Sequence, residues 1–148
     1  MNLQQHCVKL LRDIDRSGLY RASHADQAKL LAAATASGFS IHRVDLALVR
    51  DKDAFLERLA KALEFPAWFG HNWDALADCL GDLSWLQADG YLILLEHGDG
   101  FRASHGEDFA TALQIFEAAA EAWRQARIPF WVLVGNHAEG IAHLPGIE

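Results

Sequence analysis

The sequence predicts an α/β protein with a small, mainly parallel β-sheet of three or four strands packed by helices. Short apolar segments alternate along the chain with longer segments of helical periodicity, an order typical of parallel strands joined by helices. Residues 91–95 form a continuous apolar run between Gly90 and Gly98, as expected for a strand buried on both faces. The length of 148 residues is that of one domain with its own hydrophobic core.

The first half of the chain contains three helix patterns and two strand patterns. Gly38 ends the second helix, and Ser23 is its predicted N-cap, with Asp26 three residues later. Alternation of apolar and polar residues over 39–46 predicts a strand covered on one face. The predicted elements are a helix over residues 3–15, a short strand over 19–22, a helix over 25–37, a strand over 39–46 and a helix over 51–64.

The second half begins with an aromatic-rich turn at residues 65–70, which leads into a short helix with Asn72 as its predicted N-cap. The glycines and serine of residues 99–106 predict a loop. The other predicted elements are a strand over residues 91–95, a helix over 107–127, a strand over 129–134 and a tail over 136–148.

The composition is that of a soluble globular protein, with 51% hydrophobic and 22% charged residues. The acidic pI of about 5.5 argues against a nucleic-acid partner, because phosphates require Lys and Arg on the contact face. Cys7 and Cys79 match no zinc spacing, and two thiols make no disulfide framework, so we expect a cytoplasmic location. The residue pattern predicts neither a signal peptide nor a membrane span, and no membrane partner.

Three aspartates, Asp74, Asp78 and Asp82, recur every four residues in the short helix. A helix turns by about 100° per residue, so these carboxylates share one broad face. Like charges at this spacing repel each other by ~0.2–0.5 kcal/mol per pair, so stability alone does not favour the arrangement. The residues predicted on the opposite, apolar side are Trp73, Leu76, Leu80 and Leu83.

The surplus of negative charge in the chain lies around this helix. Between Lys61 and Arg102 there are seven acidic residues and no Lys or Arg, and the net charge of the whole chain is −7. Outside this window acidic and basic residues are equal in number. Two interpretations stay open: an ordinary solvated helix face, or a docking surface for a cationic partner.

The sequence contains none of the motifs GxSxG, GxxxxGK[ST], GxGxxG and HExxH, and we expect no catalytic residue, metal or cofactor. Cys79 lies close to the apolar side of its helix, where a thiol is usually buried and inert. A hydrolase that uses Asp74 and Asp78 is the enzymatic alternative, although such carboxylates need a desolvated cleft. Five histidines at loops and strand ends are interpreted as separate solvated or hydrogen-bonded imidazoles: His71, His97, His105, His137 and His143.

The segment around the acidic helix resembles the barstar family of ribonuclease inhibitors. The resemblance is carried by Pro66, Trp68, Phe69, Gly70, Asn72, Asp74-Ala75-Leu76 and Asp78-Cys79-Leu80. It extends from about Val44 to about Val134. It implies a small parallel sheet packed by helices, no enzymatic activity, and binding to a basic, secreted ribonuclease of the barnase type, whose active site the inhibitor plugs.

The resemblance also implies roles for individual residues. Asp78 matches the central acid that enters the phosphate site of the nuclease, and Asp74 matches a second acid. Trp68 matches an aromatic residue that covers the substrate groove, and Gly70 matches the glycine of the interfacial turn. The complete set of predicted partner-binding residues is Trp68, Phe69, Gly70, Asn72, Asp74, Ala77, Asp78, Asp82 and Trp85.

The chain departs from the family pattern at three places. Trp85 stands near the interfacial aromatic residue that follows the acidic helix in the family, but its register is shifted. Ala77 stands where the family has an exposed tryptophan, and Ala118 lies near the place of a further acid, with Glu117 and Glu121 close by. Another basic protein or a toxin, bound in the manner of an immunity protein, is therefore the alternative partner. The predicted organisation is an N-terminal extension packed on the domain over residues 1–38, a barstar-like domain over 39–135 and a C-terminal tail over 136–148.

Overall fold

A computed structural model describes residues 2–135, 140–142 and 144 of the chain. In this part of the chain the strands are β1 Leu19–Ala22, β2 Ser40–Asp45, β3 Tyr91–Glu96 and β4 Phe130–Gly135. The helices are α1 Leu3–Arg12, α2 His24–Ala36, α3 Lys52–Ala62, α4 Trp73–Asp82, α5 Asp99–Ser104 and α6 Gly106–Gln125. Two 3-10 turns, Ile14–Arg16 and Ser84–Leu86, follow α1 and α4.

The four strands form one parallel sheet in the order β1-β4-β3-β2. This confirms the predicted α/β class and the parallel sheet. In the central pair, Tyr91 of β3 lies opposite Phe130 of β4. The outer strands pair in register with this centre, since Ser40 lies opposite Tyr91 and Leu19 lies opposite Val132.

Alternate side chains of β3 and β4 enter two different hydrophobic cores, because successive side chains of a strand point to opposite faces. The first core contains Tyr91, Ile93, Leu95, Phe130, Val132 and Val134 together with buried residues of α3, α4, α5 and α6. The second core contains Leu92, Leu94, Trp131 and Leu133 together with buried residues of α1 and α2. The continuous apolar run at residues 91–95 is thus buried on both faces, as predicted.

Side-chain caps fix where four of the helices begin. The side chains of Asn2, Ser23, Asp51 and Asn72 each accept a hydrogen bond from the backbone N–H three residues later. Such a cap satisfies one of the backbone donors that a helix start leaves free. The predicted caps Ser23 and Asn72 are confirmed.

The prediction of a loop over residues 99–106 is wrong, because α5 occupies Asp99–Ser104. Two glycines and the lack of a side-chain cap conceal this helix in the sequence. Its stability comes from Phe101, which is fully buried and stacks on Phe55 at 4.9 Å between ring centroids. A helix of this length depends on tertiary packing, and residue propensities do not reveal it.

The N-terminal segment contributes β1 to the sheet edge beside β4 and places α1 and α2 over the second core. The outer edge of β1 is covered by residues near the C-terminus. Arg21 donates its backbone N–H to the Ala142 carbonyl at 2.9 Å, and Leu144 donates its backbone N–H to the Arg21 carbonyl at 3.0 Å. Leu144 is also buried in the second core. Residues 136–139, 143 and 145–148 of the predicted tail, which include His137 and His143, lie outside the described residues.

Candidate functional site

Helix α4 is held firmly on the first core. Leu76, Cys79 and Leu80 are fully buried, so one side of the helix is apolar as predicted. On the neighbouring helix α6, Trp123 donates its indole N–H to the Leu80 carbonyl at 2.8 Å. This contact fixes the outer side of α4 relative to the rest of the molecule.

The outer side of α4 carries the acidic face, which we define as Asp74, Asp78 and Asp82. All three side chains are exposed, and none has an ion-pair or hydrogen-bond partner among the described residues. Asp74 lies in the first turn, where the helix dipole favours a negative charge. Asp82 lies in the last turn, where the dipole disfavours it, and that turn contains no basic residue. Apart from this dipole effect on Asp74, the described residues give the three charges no stabilising partner.

The aromatic loop, residues 65–71, precedes the acidic face in the chain. Trp68 is 57% exposed, and its ring meets the Trp85 ring edge-on at 6.2 Å between centroids. Trp85 follows α4 and donates its indole N–H to the Leu63 carbonyl at 2.9 Å. The structure therefore joins Trp68 and Trp85, predicted separately as site residues, into one aromatic surface.

Phe69 occupies the interior of the aromatic loop. It is buried between Phe65, at 4.9 Å between ring centroids, and His71, at 4.7 Å. Among the predicted site residues, Phe69 is thus placed to support the loop, whereas Trp68 faces solvent.

Gly70 and Asn72 shape the junction between the loop and α4. The Asn72 side chain accepts a hydrogen bond from the Ala75 N–H at 2.8 Å and donates one to the Gly70 carbonyl at 3.3 Å. A Cβ atom on Gly70 would lie 3.3 Å from the Asn72 amide nitrogen. A glycine at this position leaves room for the cap that starts the acidic helix.

The two alanines that depart from the family pattern lie at different places on the surface. Ala77 is exposed on α4, beside Asp78. Ala118 is exposed on α6, where it lines a cleft of about 520 Å³ between that helix and the start of β1. Glu117 and Glu121 line the same cleft, and Arg124 forms an ion pair with Glu121.

The buried thiol of Cys79 is unsuited to nucleophilic catalysis. Burial, with further contributions from the carboxylates of Asp78 and Asp82, raises the pKa of Cys79 to about 11. A thiol with this pKa is almost entirely protonated at neutral pH, whereas the thiolate is the reactive form.

The sequence analysis did not predict a hydrogen-bonded side-chain pair at the loop, His71 with Glu57. The Nε2 atom of His71 lies 3.0 Å from a carboxylate oxygen of Glu57 on α3. The two residues are 14 positions apart in different elements, and no short-range pattern connects them. Elsewhere His97 pairs with Asp45 at 2.8 Å, and no group of metal-ligating residues occurs in the described part of the chain.

No helix among the described residues combines the length and the apolar character needed to cross a bilayer.

Comparison with known proteins gives one family. The family model described as Barstar (barnase inhibitor) matches residues 39–135, a range that contains the aromatic loop, the acidic face and strands β2 to β4. A comparison with curated proteins finds no match.

Proposed function

Since the chain belongs to the barstar family and has its α/β fold, we propose that it is a protein inhibitor of a basic ribonuclease. It binds the active site of the nuclease through the acidic face, with the aromatic loop and Trp85 beside it. The partner is a secreted ribonuclease of the barnase type, which the inhibitor meets in the cytoplasm before secretion. Two free, buried cysteines are compatible with that reducing compartment.

The observation that carries this proposal is the acidic face without compensating charges. Asp74, Asp78 and Asp82 are exposed on one side of a rigid helix and have no cationic partner within the described chain. A ribonuclease site holds phosphates with Arg, Lys and His, so a row of carboxylates matches its charge. Attraction between the acidic face and a basic active site accelerates association of the two proteins, and desolvated charge pairs in the complex slow its dissociation.

In this proposal the predicted residues have different roles. Asp78, in the middle of the row, enters the phosphate site, and Asp74 binds beside it. Trp68 and Trp85 supply apolar contact area next to the charges. Gly70 and Asn72 hold the junction, and Asp82 lies at the rim, where a charge adds little to affinity.

The first test compares two single substitutions in an inhibition assay with the barnase-type ribonuclease. Asp78→Ala is expected to weaken binding by at least ~30-fold, the loss typical of an interface hot spot. Asp82→Ala removes the same charge one helical turn away and should cost less than about 5-fold. Small and equal losses from both substitutions would contradict the assignment of Asp78 as the centre.

The second test measures the association rate as ionic strength rises. The rate should fall between low and moderate salt, because the Debye length shrinks from about 30 Å at 0.01 M to about 10 Å at 0.1 M. Asp78→Ala should show a weaker salt dependence than the unmodified protein. A rate indifferent to salt would count against the electrostatic basis of the proposal.

A different basic partner is the second candidate, favoured by one observation. Ala77 presents only a methyl group beside Asp78, and Ala118 carries no charge on α6. A basic toxin other than a barnase-type ribonuclease would then bind the same face, and its binding would also be lost in Asp78→Ala. A hydrolase is less well supported, since Asp74 and Asp78 are exposed on a helix and not enclosed in a cleft.

A further inference from the structure

We propose that Glu57 and His71 are a positioning pair, which holds the aromatic loop and the start of α4 in the conformation that binds the partner. This inference rests on the proposed function. Neither residue belongs to the acidic face. Their effect on binding is indirect, through the loop that carries Trp68.

The pair connects the loop to a separate helix. Glu57 lies on α3, and His71 lies between Gly70 and the N-cap Asn72. The Nε2 atom of His71 is 3.0 Å from the Glu57 carboxylate, and both side chains are more than half exposed. The contact therefore restrains the position of His71, which lies where the loop ends and the acidic helix begins.

Ring contacts extend from this pair to the exposed Trp68. His71 meets Phe69 at 4.7 Å between ring centroids, and Phe69 meets Phe65 at 4.9 Å. Phe65 then meets the Trp85 ring at 6.1 Å, and Trp85 meets Trp68 at 6.2 Å. Because these rings pack in sequence, a shift of His71 displaces the rings that support Trp68.

The backbone at His71 needs such support. Its φ is 53°, in the left-handed region that a residue with a Cβ adopts at an energetic cost. Leu83, at the end of α4, has a φ of 48°, and its side chain is fully buried. His71 is exposed, so the contacts with Glu57 and Phe69 take the place of burial in holding its conformation.

Apolar side chains do not fill the space between α3 and the aromatic loop, which the Glu57–His71 pair bridges. A cleft of about 300 Å³ lies between α3 and the aromatic loop, with Glu57 and His71 among its lining residues. Without the pair, this side of the loop loses a restraint that packing does not replace. The loop then has to be ordered when the partner binds, which reduces affinity.

The central experiment compares Glu57→Ala with two matched variants. Glu57→Gln keeps an oxygen that accepts the His71 N–H, and Asp53→Asn removes the same charge one turn earlier on α3. Asp53 is exposed and has no ion pair among the described residues. The readouts are hydrogen exchange of the amides of residues 68–72 in the free protein, and the dissociation rate of the complex with the ribonuclease.

In Glu57→Ala we expect exchange of these amides to accelerate at least about 3-fold and dissociation to accelerate about 5-fold. The thermal midpoint should change little, because a hydrogen bond between two exposed side chains contributes little to global stability. Glu57→Gln should show little of either acceleration, because it keeps the hydrogen bond. Asp53→Asn should exchange and dissociate like the unmodified protein. His71→Asn, which tolerates the left-handed backbone but lacks the imidazole, should behave like Glu57→Ala.

Unchanged exchange and dissociation in Glu57→Ala would overturn the inference, and so would equal effects in Asp53→Asn, which indicate a general charge effect. If Asp78→Ala abolishes binding while Glu57→Ala dissociates normally, the proposed function stands and the positioning pair fails. If no ribonuclease binds the unmodified protein, the proposed function fails, and the positioning role in binding falls with it.

Discussion

At the scale of single residues, Cys79 lies at the boundary between the apolar and acidic sides of α4. Its thiol is fully buried, although the side chains of its neighbours Asp78 and Asp82 are exposed. Burial and these two carboxylates together raise the pKa of the thiol to about 11. The residue therefore belongs to the core.

We expect Cys79 to react with a thiol reagent only after unfolding. At pH 8 the native protein should be labelled very slowly, because both access and thiolate formation are prevented. Cys7 should behave in the same way, since it is also fully buried and burial raises its pKa. The measurement is the rate of labelling with and without urea, and rapid labelling of the native protein would contradict the expectation.

Single residues differ in how far the sequence reveals them. The buried position of Cys79 follows from helical periodicity, which depends on neighbours within one element. The contact of His71 with Glu57 was not predicted, because it depends on how the loop turns back toward α3. Phe69 has the same limitation. The family resemblance predicts that it binds the partner, and only its packing between Phe65 and His71 shows that it is enclosed.

At the scale of elements, β2 and β3 are joined by an ion pair as well as by the sheet. Arg43 on β2 donates two hydrogen bonds to the Glu96 carboxylate on β3, at 3.0 and 2.7 Å. These hydrogen bonds lower the pKa of Glu96 below its ordinary value of 4.5. The folded state thus favours the ionised carboxylate more strongly than the unfolded state does.

This shift predicts a specific pH dependence of stability. The contribution of Glu96 is complete above the unfolded pKa of about 4.5 and is lost as pH falls through the lower folded pKa. The unmodified protein should exceed Glu96→Gln in unfolding free energy at neutral pH, and the difference should shrink toward about pH 3. Urea unfolding of both proteins from neutral pH to about pH 3 measures this difference in unfolding free energy. Groups that titrate alike in both proteins cancel in the comparison. A difference that grows on acidification would show that folding does not lower the pKa of Glu96.

Elements were predictable where local pattern and tertiary environment agree. Strand β3 follows from its apolar run, and the start of α4 follows from Asn72. Helix α5 was missed because its sequence favours a loop, while burial of Phe101 against Phe55 favours the helix. The tertiary contact outweighs the local preference in this case.

At the scale of the whole molecule, α1 and α2 cover a sheet face that would otherwise be apolar and open to solvent. Leu92, Leu94, Trp131 and Leu133 all point to this face and are almost completely buried. Exposing one such side chain costs about 1.5–3 kcal/mol, and a domain has only about 5–15 kcal/mol of stability in total. The N-terminal segment is therefore expected to be required for a stable monomer.

Deletion of residues 1–38 tests this expectation. We expect the shortened chain to aggregate or to bind a hydrophobic dye, as seen by size-exclusion chromatography and fluorescence. A milder variant, Leu30→Ala, removes part of one fully buried side chain of α2 and should cost about 2–5 kcal/mol of unfolding free energy. A monomeric shortened chain with unchanged stability would show that this face needs no cover.

The architecture was predictable only in part at this scale. The alternation of helices and strands implies a parallel sheet, which the structure confirms. The position of β1 beside β4 was not specified, because hydrophobic pattern indicates that a strand is buried and not which neighbour it pairs with. The lack of a basic partner for the acidic face among the described residues was not predictable either, because it depends on where every nearby basic side chain lies.

The central strands β3 and β4, which both cores share, couple the two cores during thermal unfolding. Since β3 and β4 give alternate side chains to both cores, loss of either core removes the packing from one face of the same two strands and destabilises the other core. Heat should therefore disrupt the molecule in one cooperative step. The rigidity of the acidic face then depends on both faces of the sheet, including α1 and α2, which pack in the core opposite to that of α4.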